Sequence, residues 1–302
     1  MKVFITGGTG YVGSVLIERL VAAGHEVSAL ARSDASAAKL EQAGAGPVRG
    51  SLADTAVLEA SAAAADAVVH AAVDYAMTEE SSAVELAAVT AFVAGAGAAD
   101  AAKPVVYTST GLVYGFDAAR DMSEDAQLPE ASAQPVKAAA ERIVLGAAGI
   151  TPVVIRAGLV YGRGGSGLIT GLIDAARANG VATYIGDGEN AWRPVHVDDL
   201  AELYARVLAR PAAGVFNAVG DAPFTFRALA EAIAAGADVP AAGIPFEQAL
   251  AAFGPFAHVL SSTSTMTAEK AERTFGWRPS GASLIDEVRS GSYRAAPAEA
   301  SV

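Results

Sequence analysis

Apolar residues come in short, nearly unbroken runs at residues 3–6, 27–30, 67–70, 105–108 and 153–156. Such runs predict strands buried on both faces, because a strand with one wet face alternates apolar and polar positions. Between them apolar residues recur at helical spacing, as in residues 14–23. Alternation of this kind predicts an α/β fold, a doubly wound parallel sheet covered by helices on both faces. Ligands of such sheets bind beyond the carboxyl ends of the strands, so the residues that follow each run matter most.

After Tyr161 the texture changes. Residues 162–167 and 186–190 read as loops, residues 196–208 as a strand end and a helix, and residues 215–219 as a further strand that could return to the sheet. Residues 224–235 and those from Ala249 onward predict a smaller lobe, mainly helical. The expected division is therefore 1–161 with about 192–222 as a dinucleotide-binding domain, and about 162–191 with 223–294 as a C-terminal substrate lobe. Residues 295–302 are expected to fray.

The dinucleotide assignment comes from the first thirteen residues, MKVFITGGTGYVG. A strand runs into Gly7, Gly10 and Gly13 and then into a helix, the order of a Rossmann phosphate turn. Gly7 permits the tight turn, Gly10 lets a pyrophosphate approach the backbone, and Gly13 lets the helix pack close to the strand. The helix N-terminus offers free N–H groups to the phosphates. The slot after the second strand, where an acid would bind the ribose hydroxyls of NAD, is Ala31, followed by Arg32 and Ser33. Arginine there suits the 2′-phosphate of NADP, so NADP(H) is expected in preference to NAD(H); the plain alternative is a solvated arginine.

Composition narrows the partners. The chain has 302 residues, 52% hydrophobic, enough for a large core. Its formal net charge of −12 and the lack of a basic stripe argue against nucleic acid. It has no cysteine, which excludes disulfides and thiolate chemistry and suits a cytoplasmic setting. The histidines, His25, His70, His196 and His258, have no partner at helical spacing, so no metal site is expected. A core strand beginning at Lys2 leaves no signal peptide to read, and the longest apolar stretch, 86–99, is shorter than the about 20 residues a bilayer needs.

Taken together the motifs resemble the extended short-chain dehydrogenases/reductases, which include nucleotide-sugar epimerases and dehydratases. The resemblance rests on TGGTGYVG at 6–13, VVHAA at 68–72 and VVYTSTGLVYG at 105–115. It continues through VVIRAGLVYG at 153–162, RPVHVDDLA at 193–201 and FGWRP at 275–279. It implies a Ser/Thr–Tyr–Lys group that reduces or oxidises a carbonyl/alcohol pair. Thr110 takes the hydroxyl position and Lys137 the position that holds the nicotinamide ribose. The tyrosine expected four residues before Lys137 is Ala133, a departure that resembles the atypical branch of the superfamily. Leu86 fills the slot of a family asparagine.

The expected cofactor contacts in the turn are Gly7, Thr9, Gly10, Tyr11, Val12 and Gly13. Beyond it are Arg32 and Ser33; Ser51, where a family aspartate often touches adenine, with Leu52; Ala71 and Ala72, small enough to leave room for a ribose; Thr108; and Lys137. Trp192 and Arg193 are the expected substrate contacts, since family members often hold a substrate phosphate with an arginine near here. Tyr114 is a candidate substitute acid, with packing as the plainer reading, and Tyr75 is a second. His70, His196 and Arg156 read as structural.

The leading expectation is an NADP(H)-dependent oxidoreductase acting on a small carbonyl or alcohol. The alternatives are a non-redox NADP-binding sensor and a nucleotide-sugar epimerase or dehydratase; for the last, Arg163 is the one basic residue in 162–172. The partners expected are a small-molecule substrate and, by resemblance, a second copy in a homodimer, with no membrane.

Overall fold

The computed structural model describes residues 1–73, 78–115, 122–130 and 132–294. Tyr75 and the tail 295–302 lie outside the described residues.

Six strands come from the first half: β1 (Lys2–Thr6), β2 (Glu26–Ala31), β3 (Gly46–Arg49), β4 (Ala67–His70), β5 (Lys103–Thr110) and β6 (Ile150–Ala157). Short strands follow: β7 (Leu159–Tyr161), β8 (Ala182–Ile185), β9 (Ala191–Trp192), β10 (Pro194–His196), β11 (Gly214–Ala218), β12 (Phe224–Thr225) and β13 (Ala241–Ile244). The main sheet has seven strands in the order β11-β6-β5-β4-β1-β2-β3, all parallel. Apart from the edge strand β3, its strands are near-continuously buried, as their apolar runs require. The strand β3 escapes the apolar-run criterion because Gly46 and Pro47 open it and only Val48 is apolar and branched. Residues 215–219 do return to the sheet, at its edge beside β6.

Helices cover both faces. On one lie α1 (Tyr11–Ala22), α2 (Asp34–Gln42) and, from late in the chain, α7 (Val197–Ala209), packed through Leu16, Leu40 and Leu203. On the other lie α3 (Thr55–Ala64), α4 (Glu79–Gly97) and α5 (Pro135–Leu145), packed through Leu58, Phe92 and Val144. Local chemistry starts these helices where it should. Thr78 caps α4 in a reciprocal box with Ser81, Pro135 opens α5, and the His196 ring accepts from the Asp198 N–H at the start of α7.

A second core is built by α6 (Gly167–Asn179), α8 (Phe226–Ala237), α9 (Phe246–Phe253) and α10 (Phe256–Leu260) around Ile173, Ile233 and Leu260. Two small two-stranded sheets, β8 with β13 and β9 with β12, belong to this lobe. The expectation that all of 223–294 is lobe needs correction. Within it α11 (Glu269–Phe275) and Trp277 return to the sheet domain, where the Phe275 ring sits 4.7 Å from Phe216 and the Trp277 indole donates to the Asp199 carbonyl at 2.8 Å. Burial of two large rings against the sheet outweighs continuity along the chain. Only then does α12 (Leu284–Ser290) rejoin the lobe through Leu284 and Val288.

Candidate active site

In this sheet the strand order reverses between β1 and β4, the switch point at which such folds leave a crevice. The glycine turn follows β1 there. Gly7 has φ +78°, and a Cβ on it would lie 2.5 Å from the Ala72 nitrogen, so Ala71 and Ala72 pack directly under the turn. A Cβ on Gly13 would lie 2.1 Å from the Gly7 carbonyl oxygen, which explains why the helix tolerates nothing larger. Gly10 differs: its added Cβ would meet only the Gly7 oxygen, at 3.1 Å. The space above it is open.

The first bond within α1 runs from the Ser14 N–H to the Gly10 carbonyl at 2.9 Å. The N–H groups of Tyr11, Val12 and Gly13 therefore have no partner within the helix, and the helix dipole adds partial positive charge there. Tyr11 donates its hydroxyl to the Gly162 carbonyl at 2.6 Å, so its ring ties the turn to the loop after β7. Thr9 is exposed, and Val12 packs partly into the core.

At the end of β2 Arg32 is exposed and makes no ion pair or hydrogen bond among the described residues. Ser33 caps α2 in a reciprocal box with Ser36. Beyond β3, Ser51 gives both its N–H and its hydroxyl to the Asp54 carboxylate, at 2.7 and 2.8 Å, and Leu52 packs against the core. The open backbone above Gly10 and the first-turn N–H groups of α1 fit the pyrophosphate of a dinucleotide.

A cleft opens at the carboxyl ends of β5 and β6, between the sheet and the lobe. Thr110 lies on its wall with Leu112, Met122, Leu159, Trp192 and Met266, and the segment Ser262–Ser264 supplies hydroxyls. Arg193 is the one charged side chain among the described residues that line it. The Trp192 ring is buried edge-on against Phe226 and donates its indole N–H to the Ser262 carbonyl at 3.0 Å. Arg193 gives Nη1 to the Asp221 carbonyl at 2.6 Å. Thr110, Trp192 and Arg193, expected from separate motifs, thus share one cleft.

Three expected site residues are held elsewhere. The Tyr114 ring is fully buried, and its hydroxyl donates to Asn217 Oδ1 at 2.9 Å while accepting from Arg156 Nη1 at 2.8 Å. Burial pushes this phenol up to about 12 despite the pull of Arg156 and Asn217. The expectation of a substitute acid at Tyr114 is therefore corrected: it belongs to a buried structural network and does not reach the cleft. The Thr108 hydroxyl is shared with Tyr204 of α7, so its polar group faces the protein. Arg163, weighed as a diphosphate cation, is taken up by Glu18 and Asp198, at 2.6 Å each.

Lys137 is positioned by a residue that sequence reasoning missed. Its Nζ lies 3.1 Å from Glu85 Oε1 and 4.8 Å from the centroid of the Tyr107 ring. The same carboxylate accepts from the Tyr107 hydroxyl at 2.8 Å and meets His70 Nε2 at 3.1 and 3.2 Å. Burial works against charge on Glu85, yet His70, Lys137 and Tyr107 together hold the carboxyl well below the usual carboxylate range. His70, read from sequence as packing, does stack on Tyr107, and it is also a hydrogen-bonding member of this group. A signal was available: Glu85 precedes Ala88, Val89, Phe92 and Ala96 at core-facing helical spacing. An acid on an apolar stripe needs partners.

Comparison with known proteins agrees with this geometry. The family model described as the NAD dependent epimerase/dehydratase family matches residues 3–219, and the chain belongs to that family. Its fold and glycine turn place it among the short-chain dehydrogenase/reductase-type oxidoreductases that use NAD(P). The chain is 30% identical to the uncharacterized protein YLL056C of Saccharomyces cerevisiae over 299 residues, 96% of this chain and 98% of that one. It is 33% identical to a 2-alkyl-3-oxoalkanoate reductase of Stenotrophomonas maltophilia over 215 residues, 67% of this chain and 63% of that one. In structure it superposes on the UDP-glucose 4-epimerase of Thermus thermophilus, solved with NAD, with a TM-score of 0.77, 23% identity and coverage of 98% and 100%. No helix among the described residues is long and apolar enough to cross a membrane.

Proposed function

We propose that this chain is an NADP(H)-dependent oxidoreductase acting on a small, largely apolar carbonyl or alcohol. The observation that carries the reading is the cleft: it sets the Thr110 hydroxyl among apolar walls with a single positive charge, Arg193. A reductase relative named for a 3-oxoalkanoate supports the carbonyl as substrate class.

The glycine turn and the start of α1 would hold the pyrophosphate, Arg32 the 2′-phosphate and Lys137 the nicotinamide ribose. The nicotinamide, when bound, supplies or takes a hydride. Thr110 would donate its hydroxyl proton in a hydrogen bond to the substrate oxygen and orient it. Trp192 and the methionines would select an apolar substituent. With Ala133 where the family tyrosine is expected, and no ordinary acid on the described cleft wall, the proton would reach the oxygen from water in the open cleft.

That same bare wall favours a second reading, a sensor that binds NADP without redox turnover. The epimerase reading weakens because Arg163 is already paired. Calorimetric titration with NADPH and NADH, followed by a carbonyl screen monitored at the nicotinamide absorbance, separates these readings. Tight NADPH binding with turnover supports the proposal, binding without turnover of any carbonyl supports the sensor, and binding of neither nucleotide overturns both.

A further inference from the structure

The Glu85 cluster is buried, titratable and unused by the mechanism above, and it touches one residue of that mechanism. Glu85 is 6% exposed and His70 wholly buried. An ionised carboxylate only accepts hydrogen bonds, so the His70 Nε2 that faces it carries a proton. In the neutral ring this leaves Nδ1 to accept from the Thr6 hydroxyl, 2.6 Å away. Thr6 ends β1 and directly precedes Gly7. A continuous polar chain therefore runs from the root of the glycine turn through His70 and Glu85 to Lys137.

Lysine is a point charge on a flexible four-carbon stem, and fixing it costs rotamer entropy. Here the ammonium is fixed before any ligand arrives, between the carboxylate and the face of the Tyr107 ring. One of its three N–H donors goes to Glu85, and the other two have no partner among the described residues. Its side chain is 11% exposed, enough to meet a ligand at its tip. Glu85, on α4, is itself held by His70 at the end of β4 and Tyr107 of β5.

We propose that Glu85 is the positioning residue for Lys137, anchoring it through the Thr6–His70–Glu85 chain so that its two free donors are presented to the nicotinamide-side ribose of the cofactor. The inference rests on the ribose role given to Lys137 above.

The test compares NADPH with 2′,5′-ADP, which carries the adenosine half and the 2′-phosphate but no nicotinamide ribose, by calorimetric titration of the full chain. Glu85→Gln is expected to weaken NADPH roughly 10- to 100-fold, the scale of a charge-assisted hydrogen bond, and to leave 2′,5′-ADP within about twofold. In a Lys137→Met background the same substitution is expected to cost nothing further, because Glu85 acts through Lys137. Equal weakening of both ligands, or an undiminished effect in the Lys137→Met background, would make Glu85 merely structural and overturn the proposal. NADPH binding by the parent chain that is untouched by Glu85→Gln overturns it while leaving the cofactor site intact. Absence of both NADPH and 2′,5′-ADP binding in the parent overturns the site reading itself. Should Glu85→Gln not fold, Tyr107→Phe removes one donor to the same carboxylate, and a selective loss of NADPH affinity is again expected; no selective loss overturns the proposal.

Discussion

The guanidinium of Arg156 lies 2.6 Å from the carboxylate of Glu141, with both side chains almost wholly enclosed between β6 and α5. The Arg156 Nε adds bonds to both carboxylate oxygens, and Ser109 donates its hydroxyl to the same group. Tyr114 closes the set from the other side of the guanidinium, its ring 4.7 Å from the charge. None of Arg156, Glu141 and Tyr114 lines the cleft. Removing one partner leaves a buried charge unpaired. Glu141→Gln or Arg156→Met is expected to cost about 3–5 kcal/mol in chemical denaturation, and the double variant less than the sum of the two. An additive double variant would show that the two charges are not coupled.

Nucleotide preference should follow Arg32. Arg32→Ala is expected to weaken NADPH by about 1.5–3 kcal/mol and to leave NADH unchanged, because only the former presents a phosphate to the guanidinium. Ala31→Asp should go further and favour NADH, since the carboxylate both accepts from ribose hydroxyls and repels the 2′-phosphate. Titration of both nucleotides against each variant decides this; an equal loss for both would remove Arg32 as a phosphate reader.

Two glycines of the turn, Gly10 and Gly13, should fail in different ways. Gly10→Ala meets only the Gly7 carbonyl oxygen, at 3.1 Å, so its loss of stability should be small beside that of Gly13→Ala. Its dinucleotide affinity should fall at least tenfold as the new methyl group meets the pyrophosphate. Gly13→Ala has nowhere to put its methyl group and is expected to lose about 1–3 kcal/mol of stability. If the turn were only architecture, Gly10→Ala would leave dinucleotide affinity unchanged.

Thr110→Val keeps the shape of the side chain and removes its hydroxyl. Loss of a donor to an oxygen that gains charge in the transition state typically costs about 10²–10³ in kcat. NADPH affinity should not change, because Thr110 is assigned to the substrate. A parallel fall in NADPH binding would move Thr110 to the cofactor site.

Alkali should unfold the chain. Burial raises the Tyr114 phenol from 10.0 to about 12, and it raises Tyr107 and Tyr204 further. The unfolded chain releases these protons first, so stability is full below about pH 10 and declines as pH rises through the folded values. Tyrosinate absorbance should therefore rise together with loss of helical signal. Ionisation through pH 11 with the helical signal intact would contradict the burial of these phenols.

The sheet and the glycine turn were legible because each depends on a local pattern. Apolar runs mark buried strands, and Gly7, Gly10 and Gly13 stand at fixed offsets after one of them. The proposed preference for NADP rests on an absence at Ala31 beside a charge at Arg32, and neither residue tests it alone. What sequence did not disclose is pairing at a distance. Glu85 and Lys137 are separated by 52 residues, and Glu141 meets Arg156 across a helix and a strand. Tyr114 looked available because its motif puts it near Thr110, while its side chain turns into the protein through the short 3₁₀ turn Gly111–Tyr114. The destination of α11 and Trp277 was hidden for the same reason, since a short helix that buries only Ala271 and Phe275 carries no record of which core it joins.

The backbone passes between the two cores five times: between Ala157 and Ile169, Trp192 and Val195, Ala218 and Phe224, Leu260 and Ala271, and Trp277 and Leu284. A lobe joined by one tether swings; a lobe stitched by five cannot swing without bending all of them at once. Widening the cleft therefore bends five connections at once. Which molecules fit is decided by the side chains that line it, Leu112, Leu159 and Met266 among them, so changing substrate range means trimming those side chains.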